Sequence, residues 1–250
     1  MRIKFPYQPF VILGTARTGS TMLWSYLNSH RDILCLRGVY GSTSKINFGK
    51  FYGDLPEEEQ SLDLIKLRNK RPVEFLDKFV WKEYSKPYKA VGFKYFYDHD
   101  RHFTDKDELT DYFQVNTAIK FIHLKRDNLL ATLFSYKRAL AQHQWTKANT
   151  DFETDISIQE CSDYFLKISE SQKRFDELFQ NRILTVNYND HINTTEQTLN
   201  VILEFIGVER ISLTTETNKN NEIKIADYII NYSELKNHFR NTDYARYFDE

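Results

Sequence analysis

Cysteine, proline and glycine are scarce in this sequence, which has 2 Cys, 5 Pro and 8 Gly among 250 residues. Cys35 and Cys161 lie far apart, so they give neither a disulfide framework nor the close spacing of a cysteine metal site. Few cysteines without a disulfide pattern are typical of a cytosolic protein. Because no Gly- or Pro-rich linker divides the chain, we expect a single domain over residues 1–250.

Long apolar runs are also missing. Mean hydropathy is −0.59, and no stretch approaches the roughly 18 apolar residues that a membrane-spanning helix needs. The apolar run over 10–13 is too short for a secretion signal and has no cleavage-site pattern. We therefore expect a cytoplasmic protein with no membrane span.

A strong net charge is absent, since 34 Lys and Arg residues stand against 35 Asp and Glu residues. Nucleic-acid-binding domains usually carry a basic excess, so we expect no nucleic-acid partner, although a local anion site is compatible with this balance. The sequence is instead rich in hydrophobic residues, at 41%, and in aromatic residues, at 15%. That content excludes an intrinsically disordered chain and is sufficient for a large core.

Strand and helix patterns alternate along the chain. Short apolar segments predict strands over 9–13, 33–36, 89–97, 119–124 and 183–188. Apolar residues at helical spacing predict helices from residue 20 onward and over 54–88, 128–144, 158–179, 194–206 and 226–239. Strands separated by helices indicate an α/β fold, with a parallel sheet and helices on both faces. Ligands of such sheets bind beyond the carboxyl ends of the strands, so the loops there are the candidate site.

The loop after the first strand reads GTARTGST from Gly14 to Thr21 and has the composition of a phosphate-binding turn. Gly14 and Gly19 allow backbone conformations that other residues avoid, and amides at a helix N-terminus attract anions. The spacing is close to that of a nucleotide P-loop, but Ser20 stands at the lysine position. Arg17 is the cation of this loop, so an ATP or GTP hydrolase would lack a central part. The alternative is a plain strand-to-helix turn capped by Ser20 or Thr21.

A second motif reads IHLKRDNLLATLFS from Ile122 to Ser135 and predicts a strand, a basic turn and a helix. Arg126 lies at the strand end, and Ser135 follows it by about two and a half helical turns. A guanidinium together with a hydroxyl is a good receptor for phosphate. In the alternative interpretation, Arg126 pairs with Asp127 or binds a carbonyl group.

The two motifs together resemble those of the sulfotransferase family, whose members use 3′-phosphoadenylyl sulfate (PAPS) as the donor. The 5′-phosphosulfate loop of that family is similar to the run Thr15, Ala16, Arg17, Thr18, Gly19, Ser20 and Thr21. Its 3′-phosphate motif is similar to the segment around Arg126 and Asn128 with the downstream Ser135 and Ala139, a pattern that resembles bacterial carbohydrate-type members.

The resemblance implies a P-loop-like α/β fold. The aromatic and charged insert over 41–86 follows the first βα unit, and we expect it to form a helical lid over the acceptor pocket. The resemblance also implies transfer of a sulfuryl group from PAPS to a hydroxyl of a carbohydrate, a glycolipid or another small acceptor, without a metal ion. Arg17 and its loop would bind the phosphosulfate end, and Arg126 with Ser135 would bind the 3′-phosphate. Lys219 is a candidate for a further contact to that phosphate.

For the chemistry, the resemblance implies a second cation near the sulfur, and Lys94 is the candidate. Many relatives carry a glutamate base in a Gly-Glu segment, but Val39 stands at that position here and cannot take a proton. His99 is the candidate base because its ordinary pKa lies near neutrality. His102 and Asp98 are the alternatives.

Two other functions compete with this interpretation. A P-loop kinase for a small molecule would need Mg²⁺ and the loop lysine that Ser20 replaces. A degenerate protein that binds the adenosine bisphosphate product without catalysis is compatible with the missing Gly-Glu carboxylate.

Overall fold

The computed structural model describes residues 5–41, 44–49, 61–145, 152–217 and 224–249. In these ranges the strands are β1 (Gln8–Gly14), β2 (Ile33–Leu36), β3 (Ala90–Phe96), β4 (Lys120–Lys125) and β5 (Ile183–Asn187). They form one sheet in the order β2-β3-β1-β4-β5, in which every pair of neighbours is parallel.

Helices connect and follow the strands. They are α1 (Ser20–Asn28), α2 (Leu62–Lys70), α3 (Pro72–Phe75), α4 (Glu108–Val115), α5 (Leu129–Ala141), α6 (Ile158–Phe179), α7 (Tyr188–Asn193), α8 (Thr195–Phe205) and α9 (Tyr232–Phe239). Short 3₁₀ turns lie at His99–His102, Ile225–Asp227 and Ala245–Phe248, and a π turn at Leu76–Val80. No helix in the described ranges is both long and apolar enough to cross a membrane.

β1 lies at the centre of the sheet, and its apolar side chains alternate between two layers. Phe10 and Ile12 pack with residues of α1 and α8, whereas Val11 and Leu13 pack with residues of α2, α3, α4 and α6. All four side chains are at most 1% exposed. An apolar strand buried on both faces is typical of a parallel sheet. The predicted α/β fold, with helices on both faces, is therefore confirmed.

The insert between β2 and β3, predicted as a helical lid over 41–86, is helical in part. It contains α2, α3 and the π turn at Leu76–Val80. Phe75, Leu76 and Val80 are fully buried and belong to the same core cluster as Val11 and Leu13 of β1. The described part of the insert is therefore one of the layers of the fold.

The helix predicted over 226–239 is wrong in its first half. The chain makes the 3₁₀ turn at Ile225–Asp227, and α9 begins only at Tyr232. Between them the Ile230 N–H donates to the Thr154 carbonyl oxygen at 3.1 Å. This bond to a distant segment replaces the local bonds of a continuous helix.

A third apolar cluster lies outside the two sheet layers and joins α5, α6, α9 and the C-terminal turn. Leu130, Phe165 and Phe239, one from each helix, are at most 2% exposed. Because α5 follows β4 directly, this packing fixes α5 at the carboxyl edge of the sheet, beside the loop after β1.

Candidate functional site

The loop between β1 and α1 forms a tight turn at the carboxyl edge of the sheet. Arg17 and Gly19 have φ angles of 71° and 80°, in the left-handed region that residues other than glycine adopt infrequently. Gly14 lies against β4, and a Cβ atom there would come within 2.8 Å of a main-chain carbonyl oxygen. Thr18 Oγ1 donates to the Thr15 carbonyl oxygen at 2.8 Å, which closes the turn.

The start of α1 favours an anion site over a capped turn. α1 begins at Ser20, and within the described part of the chain no side chain caps it. Its N-terminus therefore presents a partial positive charge and backbone amides to the loop side. Ser20 is buried, Thr21 is half-buried, and neither supplies the cation of a nucleotide-hydrolysing P-loop.

Arg17, Arg126 and Ser135 come together although more than a hundred residues separate the first from the other two. Arg17 Nε donates to Ser135 Oγ at 2.9 Å, with a sequence separation of 118 residues. Arg17 also donates through a terminal nitrogen to the Trp145 carbonyl oxygen at 2.5 Å. Arg126 donates to the Arg17 carbonyl oxygen at 3.5 Å, which is a long contact. The alternative interpretation of Arg126 has two parts. An ion pair with Asp127 is not among the ion pairs of the described residues, whereas the long contact to the Arg17 carbonyl oxygen is of the second kind, a bond to a carbonyl group.

A third arginine, Arg138, belongs to the same cluster and was missed by the sequence motifs. It is 6% exposed, and its Nε has no hydrogen-bond partner among the described residues. Burial, then the positive charges of Arg138 and Arg126, lower the pKa of Arg17. The sequence signal was its position three residues after Ser135, which places both on neighbouring positions of one helix face.

Lys94 contacts the loop at its other end. Its side chain is 6% exposed, and Nζ donates to Thr21 Oγ1 at 3.2 Å. Burial, followed by the positive charge of Arg37, lowers the pKa of Lys94 to about 7. The predicted phosphosulfate loop is therefore flanked by Lys94 on one side and by Arg126 on the other.

His99 begins the turn after β3 and is 5% exposed. Its Nδ1 accepts the Phe96 N–H at 3.2 Å. Burial, and then the charge of Lys94 and other cations, lower the pKa of His99 to about 3. The neutral ring therefore carries its proton on Nε2, the atom that faces Gly41. In this arrangement Nε2 is a hydrogen-bond donor, whereas a general base needs a free lone pair there.

The remaining predicted residues have other surroundings. Arg101 forms an ion pair with Asp98 at 2.6 Å and donates to His102 Nε2 at 3.0 Å. Val39 is fully buried in the core, and Lys219 lies outside the described residues. Within those residues, no three His, Cys, Asp or Glu side chains are grouped as metal ligands would be.

Two residues of α7 complete the wall of the loop and were also missed. The Arg126 guanidinium lies 4.7 Å from the centre of the Tyr188 ring. A Cβ atom on Gly19 would lie 3.2 Å from Tyr188 and 3.3 Å from His191. His191 is fully buried, neither ring nitrogen has a partner in the described ranges, and burial lowers its pKa to about 4. The sequence signal was their position directly after β5, at the carboxyl edge.

Comparison with known proteins gives the family of this chain. A family model described as "Sulfotransferase family" matches residues 9–212. Nodulation protein H of Rhizobium tropici is 26% identical, with 97% of this chain and 93% of the relative covered. Nodulation protein H of Rhizobium meliloti is 24% identical, with 98% and 96% covered.

A solved sulfotransferase structure from Alicyclobacillus acidocaldarius has a similar fold. Its TM-score is 0.53 at 15% identity, and the match covers 92% of this chain and 90% of that one. The family match extends from β1 to beyond α8 and includes both predicted phosphate motifs. This chain belongs to the sulfotransferase family.

Proposed function

We propose that this sulfotransferase takes its sulfuryl group from PAPS and transfers it to a hydroxyl of a small carbohydrate or glycolipid-like acceptor. The observation that supports this most strongly is the meeting of Arg17, Arg126 and Ser135 around a P-loop-like turn. None of the three side chains forms an ion pair with an acidic residue in the described ranges. Positive charge gathered without acidic partners favours a ligand with more than one anionic group.

In this proposal the two ends of the donor have separate receptors. The helix N-terminus at Ser20 and the Arg17 side chain hold the phosphosulfate end, as helix termini commonly hold anions. Arg126 and Ser135 hold the 3′-phosphate. The Arg17–Ser135 hydrogen bond of 2.9 Å keeps the two receptors within reach of one nucleotide.

The reaction forms a bond between the acceptor oxygen and sulfur and breaks the bond between sulfur and the bridging phosphate oxygen. The electron pair of the broken bond stays on the phosphate, and the acceptor proton passes to a base. Lys94 and Arg17 stabilise the charge that develops on the phosphate, because preorganised cations in a buried site act strongly on such charge. His99 is the base predicted from the sequence, and its tautomer makes that role the first to test.

A second candidate function is a binding protein that holds adenosine bisphosphate without catalysis. Two observations favour it. Val39 is fully buried where many relatives are expected to carry a carboxylate, and His99 presents a donor instead of a lone pair. The kinase alternative has no such support, because the chain belongs to the sulfotransferase family and lacks the loop lysine.

Calorimetry and a transfer assay test the proposal. We expect 3′,5′-adenosine bisphosphate to bind and ATP with Mg²⁺ to bind at least about tenfold more weakly, a difference of roughly 1.4 kcal/mol. Arg17→Ala and Arg126→Ala should each weaken the bisphosphate, whereas Arg210→Ala, at an exposed arginine paired with Glu204, should not. Transfer of radiolabelled sulfate from PAPS to a panel of sugars and glycolipids then separates enzyme from binding protein. Equal affinity for both nucleotides in all four proteins would contradict the proposed donor.

A further inference from the structure

We propose that Arg138 is a third phosphate-binding cation, which contacts the same phosphate as Ser135 and makes the site selective for a nucleoside bisphosphate over a monophosphate. This inference rests on the proposed function, because it assigns one more residue to the donor site. Arg138 lies between Ser135 and Ala139 of the second motif but is not one of its characteristic positions, and nothing in the family resemblance assigns it a role.

The first argument is the burial of a cation that has one unsatisfied nitrogen. Arg138 is 6% exposed, and its Nε is buried without a hydrogen-bond partner among the described residues. No carboxylate in those ranges forms an ion pair with it. A buried charge without a partner is strongly unfavourable, and native proteins retain one where a ligand or function compensates for it.

The second argument is the position of Arg138 on α5. It follows Ser135 by three residues, so the two side chains lie next to each other on one helix face. Ser135 accepts a hydrogen bond from Arg17 at 2.9 Å, which fixes that face toward the loop after β1. The Arg138 guanidinium also lies 5.7 Å from the ring centre of Phe134, so packing holds the side chain in place.

The third argument is the mutual repulsion of the arginines. The positive charge of Arg138 contributes to lowering the pKa of both Arg17 and Arg126, in each case after burial. Like charges that interact in this way destabilise one another unless an anion lies between them. A phosphate monoester carries about −1.5 to −2 charges at neutral pH and offers three acceptor oxygens. A terminal phosphate such as the 3′-phosphate therefore fits this cluster.

A structural role and a ligand-binding role for Arg138 predict opposite effects of its removal on the melting temperature. If Arg138 supported the fold, its removal would lower the melting temperature of the protein without nucleotide. If Arg138 serves to bind an anion, its removal relieves the repulsion among the three arginines. The melting temperature of the protein without nucleotide then stays unchanged or rises. Arg138→Gln keeps most of the side-chain stem over Phe134 and removes the charge, so it separates the two cases.

The test is calorimetric titration of 3′,5′-adenosine bisphosphate and of 5′-AMP into the wild type, Arg138→Gln and Lys137→Gln. Lys137 is the matched control: it precedes Arg138 on α5, carries the same charge and forms an ion pair with Glu160 at 2.8 Å. We expect Arg138→Gln to weaken the bisphosphate by about tenfold or more, as loss of a charge-assisted contact does, and to change 5′-AMP affinity by less than about threefold. Lys137→Gln should change neither.

Three results would overturn the inference. One is an equal loss for both nucleotides in Arg138→Gln, another is an equal loss in Lys137→Gln, and the third is a lower melting temperature of Arg138→Gln with unchanged nucleotide selectivity. These outcomes leave the proposed function intact as long as the wild type binds the bisphosphate. Failure of the wild type to bind it would contradict the proposed function itself, and Arg138 with it.

Discussion

Lys94 is a buried cation whose protonation state changes near neutral pH. Its pKa is lowered to about 7 by burial and by the charge of Arg37, so the amine is positive below that pH and neutral above it. If Lys94 stabilises the leaving phosphate, only the charged form is useful. We therefore expect kcat/KM, which reports the free enzyme, to fall by about tenfold per pH unit above roughly pH 7.

The matched variant is Lys94→Arg, because a guanidinium stays charged over the whole range. Its kcat/KM should be lower at pH 6.5 and should lose the alkaline decline. Initial rates with limiting PAPS between pH 6 and 9 measure both profiles. Identical alkaline declines in the two proteins would show that another group causes them.

His99 can act as a donor or as a base, and two substitutions distinguish these roles. Nδ1 accepts the Phe96 N–H, so the proton of the neutral ring is on Nε2. A glutamine amide can replace an Nε2–H donor but cannot replace a base. From this geometry we expect His99→Gln to keep turnover within about tenfold, and His99→Ala to lose more. Loss of about 10²–10⁴-fold in both variants is what removal of a general base gives.

Nucleotide affinity is the control for both His99 variants. If calorimetry shows bisphosphate binding as in the wild type, a change in turnover belongs to the acceptor or to the proton transfer. Equal inactivity of the Gln and Ala variants with intact binding would restore His99 as the base.

At the scale of elements, β3 can lie beside β1 because Gly92 has no side chain. A Cβ atom on Gly92 would lie 2.5 Å from the Phe10 ring and from the Phe10 carbonyl oxygen. In contrast, a Cβ atom on Gly38 would meet nothing within 4 Å. We expect Gly92→Ala to lower the free energy of unfolding by about 3 kcal/mol, while Gly38→Ala stays within about 0.5 kcal/mol of the wild type. Urea denaturation measures both, and equal stability of the two variants would contradict this packing.

A polar chain links the end of β3 to β4 and α6. The Tyr97 hydroxyl lies 2.5 Å from His123 Nε2, and His123 Nδ1 lies 2.9 Å from Asp176 Oδ1. Asp176 also accepts from Lys125. Tyr97 N–H donates to the Gly14 carbonyl oxygen at 3.1 Å, so this series of hydrogen bonds ends at the start of the loop after β1.

The His123 link gives a pH dependence of stability. Burial lowers the pKa of His123 to about 4 even though Asp176 opposes the shift. Below its ordinary pKa near 6.5, the unfolded chain binds a proton that the folded state does not, so stability falls as the pH drops from about 6.5 toward 4. Titration of this single group should lower the free energy of unfolding at pH 5 by about 2 kcal/mol relative to its value at pH 7. His123→Gln should reduce the difference between the two pH values by that amount in urea denaturation, and an unchanged difference would contradict it.

The sequence predicts elements well where local patterns determine them. α6 spans the predicted range 158–179 and β2 the predicted 33–36, because long amphipathic periodicity and short apolar runs are local signals. α7 begins directly after β5 without a loop, so no turn residue marks it. The failure at 226–239 has a different cause, since the bond from Ile230 to Thr154 comes from a distant segment.

In the candidate site, too, residues in local patterns can be predicted from the sequence, whereas residues that depend on distant contacts cannot. The loop of Arg17 and the turn of Arg126 are predictable because each combines a strand end with residues that suit an anion. Arg138 is not a characteristic position of either motif. The role proposed for it depends on its burial and on its electrostatic interaction with Arg17 and Arg126. Tyr188 is likewise an ordinary aromatic residue until the fold places it against Gly19.

For the stability of the whole molecule, the distribution of charge matters more than the net charge. The net charge is −1, yet Arg17, Arg126 and Arg138 cluster at one edge of the sheet without acidic partners in the described ranges. The cluster therefore makes the fold less stable than its packing alone would allow. An anion that neutralises the cluster should bind the folded chain and stabilise it.

Linkage gives the size of that effect. A ligand at 100 times its Kd adds about 2.7 kcal/mol to the stability of the folded state, which for a chain of this length corresponds to roughly 5–10 °C in Tm. We expect 3′,5′-adenosine bisphosphate to produce such a shift in a thermal melt and chloride at equal ionic strength to produce none. The Arg17→Ala, Arg126→Ala double variant should lose the shift, because it lacks the proposed receptors for both ends of the nucleotide. The same shift in the double variant would show that the nucleotide binds elsewhere on the molecule. The arginine cluster would then not be the source of the stabilisation.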